Sequence, residues 1–212
     1  MTQEWKVITD PDNPLCGKSY EEVKEILKED GWALIYVKDQ TEEICRLAVQ
    51  QDGWALIYVK DQTEEICRLA VQQDGRAIQY VKNQTEELYK LAVQQDGYAL
   101  YWVKDQTEEI CKLAVQQNGN AILFVYEQTE ELYKLAVQQN GLALLYVRNQ
   151  TDEICKLAVQ QDGRAIEFVN NQTLALCVLA LYDDSHNSRY IRSRVKKVIC
   201  SLIAGLLRLI KE

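Results

Sequence analysis

Seven cysteines, one histidine and a series of paired glutamates are the residues with chemistry to offer in this chain. Cys45, Cys67, Cys111, Cys155 and Cys177 recur at multiples of 22 residues, in a column where Tyr89 and Tyr133 replace the thiol. A metal or redox centre does not accept tyrosine in that way, no Cys-x-x-Cys occurs, and His186 has no second histidine to pair with. Members of the column one helix diameter apart also exceed the roughly 7 Å Cα separation a disulfide can span. The column is therefore read as small, core-filling thiols. Glu42-Glu43, Glu64-Glu65, Glu86-Glu87, Glu108-Glu109 and Glu130-Glu131 suggest acid catalysis, but that needs two carboxyls made unlike by environment within one cleft. Five repeats of the same pair behind a threonine fit helix starts better, where acids meet the positive end of the dipole. Asn83, Asn149 and Asn171 head Asn-Gln-Thr triplets of the glycosylation type; their siblings read Asp-Gln-Thr, so turn chemistry accounts for them. With no phosphate loop, nucleophile elbow or Ser-His-Asp set, no catalytic residue, cofactor site or metal ligand is assigned. The chain is read as a non-enzyme.

The elements that carry these residues repeat. Asp30 to Gln51 recurs unchanged from Asp52 to Gln73, and looser copies continue to about residue 182. A fixed period of this length is the mark of a repeat architecture, and it decides the fold class ahead of local propensity. In each first half the Ala33 and Val37 columns are invariant, the Leu34 column holds only Leu or Ile, and the Tyr36 column holds only aromatics. The Trp32 and Ile35 columns vary, becoming Arg76 and Gln79 or Arg164 and Glu167. Invariant positions at i, i+1, i+3 and i+4 predict one buried helical face comprising Ala33, Leu34, Tyr36 and Val37. The strand propensity of WALIYV keeps a β reading, as in a leucine-rich repeat, as the alternative.

The second half opens on Thr41-Glu42-Glu43, a helix N-terminus, and runs through Ile44, Leu47, Ala48 and Gln51 to Asp52-Gly53. The glycine is read as a left-handed helix stop, and the aspartate as the cap of the next copy. Each unit is then a hairpin of two short helices, about 8 and 11 residues long. Helices so short need their neighbours, and the fold class expected is all-α: an α-solenoid of about seven 22-residue helix-turn-helix repeats. Residues 1–18 form an N-terminal extension. Residues 19–182 form the repeat domain, with a half-repeat cap at 19–29, where Ser19 and Glu22 have capping-box spacing, and repeats over 30–182. Residues 183–212 carry a polar break and a basic amphipathic helix from about Tyr190 to Ile210.

With 47% apolar and 26% charged residues the composition is that of a folded globular protein, and the net charge of −8 argues against nucleic-acid partners. The balance is uneven: from Arg189 to Glu212 seven basic residues face one acid, so that of the total −8 this tail carries +6 and the rest −14. The start, MTQEWKVITDPDNP, has no export-signal pattern, so the chain is expected not to be secreted and its cysteines to stay reduced.

Two surfaces remain. If the invariant columns form the core, Trp32, Ile35, Trp54, Ile57, Tyr98, Tyr101, Leu142 and Leu145 lie elsewhere, either as a protein-docking face or as the inner wall of a tight solenoid. The C-terminal helix, with Arg192, Arg194, Lys196, Lys197, Ile199, Leu202 and Leu206, suits sealing of the last repeat, self-association or contact with an anionic membrane.

The phrases DGRAIQYVKNQTEELYKLAVQQ and NGLALLYVRNQTDEICKLAVQQ resemble the tandem units of the domain-of-unknown-function 4116 type, a repeat family abundant in giant DNA viruses of amoebae and present in some bacteria. The pattern A-[LI]-x-[aromatic]-V, then QTEE[IL] and LAVQQ-[DN]-G, carries the resemblance over about residues 30–182. It implies a helical repeat protein of viral type, with capsid proteins or a second copy as partners and the host cytoplasm or virion as location. It brings no activity with it.

Overall fold

The computed structural model describes the backbone of residues 6–209 and the side chains of residues 6–203. The chain forms two units, Met1–Asp105 and Gln106–Glu212. In the first lie α1 (Tyr20–Glu29), α2 (Glu42–Gln51), α3 (Glu64–Gln73) and α4 (Glu86–Gln95). They alternate with 3-10 helices at Gly31–Tyr36, Gly53–Tyr58, Gly75–Tyr80 and Gly97–Trp102. In the second lie α5 (Glu108–Gln117), α6 (Glu130–Gln139), α7 (Asp152–Gln161), α8 (Leu174–Asp183) and α9 (Ser193–Leu209), with 3-10 helices at Gly119–Phe124, Gly141–Tyr146, Gly163–Phe168 and Ser185–Tyr190. No strand occurs among the described residues, so the β alternative falls. Each unit is an α-solenoid in which a layer of α-helices packs beside a layer of 3-10 helices, each 3-10 helix up to Gly163–Phe168 touching the α-helices next to it within its unit.

The helix starts follow from the side chains. Thr41, Thr63 and Thr85 accept from the backbone N–H three residues on, as do Thr107, Thr129, Thr151 and Thr173. Ser19 and Glu22 close a reciprocal capping box. Hydrogen bonds from Ser19 and Lys18 hold the Glu22 carboxyl at about 2, well below its usual range. The aspartate or asparagine that ends each α-helix also caps the next 3-10 helix: Asp52 Oδ1 accepts from the Trp54 N–H at 2.9 Å. One residue thus stops one helix and starts another.

Three expectations are corrected. The first half of each repeat is a six-residue 3-10 helix, not an eight-residue α-helix. Its bonds run i to i+3, from Ala55 N–H to Asp52 O at 3.0 Å and from Val59 N–H to Leu56 O at 3.1 Å. At about 2 Å of rise per residue, six 3-10 residues span about 12 Å, against about 15 Å for ten α-helical ones, so the two layers match in length. The aromatic column is not core: Tyr36 is 43% exposed and its equivalents are half-buried, while Ala33, Leu34 and Val37 and their equivalents are buried. At three residues per turn only two adjacent positions of the short helix face inward. The extended residue that follows supplies the third, the valine.

The repeat glycines are not left-handed stops either. Among the described residues only Gly17 has positive φ. A Cβ on Gly31, Gly53 or Gly75 would sit within 3.0 Å of the carbonyl oxygen of Ala48, Ala70 or Ala92, on the following α-helix. Gly119 and Gly141 meet Ala136 and Ala158 in the same way. The glycine is there because the start of a 3-10 helix lies directly against the last turn of the next α-helix.

The pattern also runs past residue 182, where the sequence reading ended it inside α8. Ser185–Tyr190 is an eighth 3-10 helix, with Ser185 in the glycine column and Asn187 in the alanine column. Asn187 is only 2% exposed, and its amide donates to the Ala180 carbonyl at 3.0 Å. At the other end, Leu15 of the extension is buried and the Asn13 amide donates to the Tyr36 carbonyl at 2.8 Å.

Replacing Gly53 by alanine forces a Cβ onto a backbone carbonyl that cannot swing away. The expected cost is about 2 to 3 kcal/mol, read as a lower urea midpoint. An unchanged midpoint would show that the glycine column is not set by this close approach.

Candidate interaction surface

Except at Gln84, which donates to the Ile78 carbonyl of its own repeat at 2.8 Å, the glutamine of the Gln-Thr pair ahead of α2 to α8 leaves its own repeat and closes on the next. Gln40 donates from Nε2 to the Tyr58 carbonyl at 2.8 Å, and its Oε1 accepts from the Lys60 N–H at 3.0 Å. Gln62 does the same with Tyr80 and Lys82, both at 2.9 Å, and in the second unit Gln150 with Phe168 and Asn170, both at 2.9 Å. Gln172 bridges Tyr190 and Arg192 at 3.0 and 2.8 Å. The carboxamide thus supplies the acceptor and the donor that the extended residues after each 3-10 helix lack. Asn13 meets the Tyr36 carbonyl in the same role for the first repeat. The QTEE[IL] pattern contains this glutamine, but its purpose was not legible from the sequence. Its one signal is that glutamine persists where neighbouring turn positions vary.

The cysteine column belongs to this bridge. Cys45, Cys67, Cys111, Cys155 and Cys177 are buried, and four of them lie within 3.6 to 3.8 Å of the bridging glutamine's Oε1. Tyr89, in the same column, donates to Gln84 Oε1 at 2.9 Å. Four thiols and the Tyr89 phenol thus each bring a donor to the amide oxygen of the glutamine five residues before. Burial raises all five thiols, Cys45 to about 11.

The paired glutamates face solvent and bind cations along the α layer. Lys24 reaches Glu43 at 2.8 Å and Arg46 reaches Glu65 at 3.1 Å; Lys112–Glu131 and Lys134–Glu153 repeat the contact at 2.9 and 3.1 Å. Such exposed pairs contribute little each. They set a charged, solvated outer face. Among the described residues no three His, Cys, Asp or Glu side chains gather as a metal site.

The two varied columns separate. Trp32 and Trp54 are ties between repeats: their indole N–H groups donate to Asp52 and Asp74 Oδ2 at 2.5 and 2.6 Å. Their rings meet Tyr58 and Tyr80 edge-on at 5.6 and 5.7 Å. Arg76 reaches Asp96 at 2.5 Å by the same route. Tyr98 and Leu142 in this column are half-buried. Tyr58 and Tyr80 are thus held by ring packing on the preceding repeat, and Tyr36 in the first repeat is the most exposed member of the aromatic column. The Ile35 column points outward: Ile35 is 53% exposed, Ile57 49%, Tyr101 62% and Leu145 54%, with Leu123 alongside Leu145 in the second unit.

The C-terminal candidates also divide. Arg192 is a tie, its guanidinium donating to the Asn170 carbonyl at 2.8 Å in the manner of Lys60 on Lys38. Arg194, Lys197 and Leu202 are exposed, Lys196 and Ile199 half-buried, and the Leu206 side chain lies outside those described, as does Ile210. α9 begins at Ser193, three residues ahead of register, because Arg194 and Val195 stand where the Gln-Thr turn would be. It packs on α8 far more sparsely than α7 does. No helix among the described residues is long and apolar enough to cross a membrane.

Stacked α and 3-10 layers with a period of 22 residues define a helical repeat protein. The chain belongs to the family of the domain of unknown function DUF4116, whose profile matches residues 41–85, 85–129 and 129–173, each block spanning two repeats. No curated protein and no solved structure matches it.

Substituting Gln62 by leucine keeps the volume and strands the Tyr80 carbonyl and Lys82 N–H. The expected loss is about 1 to 3 kcal/mol in urea unfolding. A loss no larger than that of an exposed-site control would remove the bridge from the account.

Proposed function

We propose that the chain is a non-enzymatic scaffold that binds protein partners along the Ile35 column. One observation carries this reading: the apolar side chains Ile35, Ile57 and Tyr101, and separately Leu123 and Leu145, stand in solvent on a backbone pinned by neighbouring repeats. Exposed apolar rows on a soluble surface mark contact sites, and a backbone already ordered loses little entropy on docking. Variation in this column, with Gln79 and Glu167 interrupting it, lets successive repeats differ in what they contact without altering the stack. The finer form of the proposal, a minor structural component of a giant-virus particle, rests on the resemblance of the repeats to those of such viruses.

The test is recovery of partners by the full chain and by an Ile35→Asp, Ile57→Asp, Leu145→Asp variant, together with a search for the chain in purified particles. The variant should keep its melting temperature, since exposed substitutions shift stability by about 0.5 kcal/mol or less, and lose the partner. A partner held equally well by both chains, or none held by either, refutes the ridge as the binding face.

A further inference from the structure

We infer that the C-terminal end of the second unit, the outer stripe of α8 together with α9, is a docking surface for an anionic lipid bilayer. On α2 the outward stripe is Glu42, Arg46 and Gln50; on α8 the same positions are Leu174, Val178 and Tyr182. All three are exposed, Tyr182 by 91%. α8 also lacks the acidic first turn of α2 to α7. α9 adds Val198, Leu202 and Ile203, each about half exposed. The two helices share a groove of about 380 Å³, where Leu174 faces Val195 and Val198 beside Arg194. Arg194 lines this groove, and Arg189 and Lys197, on the flanking 3-10 helix and on α9, are also exposed.

Charge selects the occupant. The segment from Arg189 onward carries +6 and the remaining chain −14. Two copies meeting through this end would set one basic cluster against the other. The acidic α layer of a second copy would answer the charge but would offer Glu, Arg and Gln side chains to Leu174, Val178 and Tyr182. A bilayer containing anionic lipid supplies negative headgroups and an apolar layer beneath them together. α9, too short and too charged to cross, would lie along that surface at about 25 Å of length.

The experiment is flotation of the full chain with phosphatidylcholine vesicles, with and without phosphatidylserine, at low and high salt. Co-flotation is expected only with phosphatidylserine, weakening as salt rises. Arg194→Glu with Lys197→Glu should reduce it at least about tenfold. Val178→Glu with Tyr182→Glu should do likewise, while circular dichroism stays unchanged in both. Because α8 is a repeat helix, a Leu202→Glu variant on α9 guards against misfolding of the α8 variant and should also lose binding. No flotation, equal flotation with phosphatidylcholine alone, or variants that float as the parent does would overturn the inference. So would a dimer in sedimentation that Val178→Glu dissociates, which would make the face a self-interface.

Discussion

A six-residue 3-10 helix has too few hydrogen bonds and too little buried area to persist alone, so every first half-repeat depends on the α-helix that follows it. The contact is made at backbone distance. Glycine at Gly31, Gly53 and Gly75 lets the start of each 3-10 helix rest on the alanine carbonyl in the last turn of the next α-helix. Around that contact ties run forward: glutamine to the extended residues after the next 3-10 helix in most repeats, Trp32, Trp54 and Arg76 to the next capping aspartate, and Lys24, Arg46, Lys112 and Lys134 to the next glutamate. Packing and polar satisfaction therefore point the same way along the chain. Within each unit, repeat n is completed by repeat n+1.

An array of that kind needs different endings. At the N-terminus Leu15 and Asn13 supply from the extension what a preceding repeat would have supplied. At the C-terminus the Gln-Thr turn gives way to Arg194-Val195, α9 starts early and leaves the stack, and the outward stripe of α8 turns apolar. Between the ends, the positions that do not participate in stacking are free to differ, and the Ile35 column is where they differ while staying exposed. The stacking positions and the exposed, variable positions thus fall on separate columns of one short repeat.

Much of this was legible in the sequence because internal copies act as their own comparison. The period, the threonine and aspartate caps, the Ala33, Leu34 and Val37 core and the burial of the cysteine column follow from which positions stay constant. Most of what was not legible depends on contacts 17 to 26 residues away. The glycine column reads locally as a helix stop, and only the neighbouring Ala carbonyl shows that it is a packing requirement. Constancy of the aromatic column suggested core, but its members are half-exposed, and Tyr58 and Tyr80 pack edge-on against Trp32 and Trp54 of the preceding repeat. The varied columns looked alike, and only the Asp52 and Asp74 bonds separate the tied Trp32 column from the exposed Ile35 column. The eighth 3-10 helix was hidden by Ser185 and Asn187 in the glycine and alanine positions, where Asn187 keeps its place by satisfying the Ala180 carbonyl.

Deletion of residues 52–73 tests the dependence of each repeat on its immediate neighbour most directly, because the junction it creates reproduces the native sequence on both sides. If only adjacent repeats hold each other, the shortened chain keeps its mean-residue circular dichroism, unfolds at somewhat lower urea, and leaves Cys45 and Cys111 unreactive toward thiol reagents until it unfolds. Loss of helical signal, or rapid labelling of those two buried thiols in the absence of denaturant, would show that the fold is held by something longer in range than the contact between neighbours.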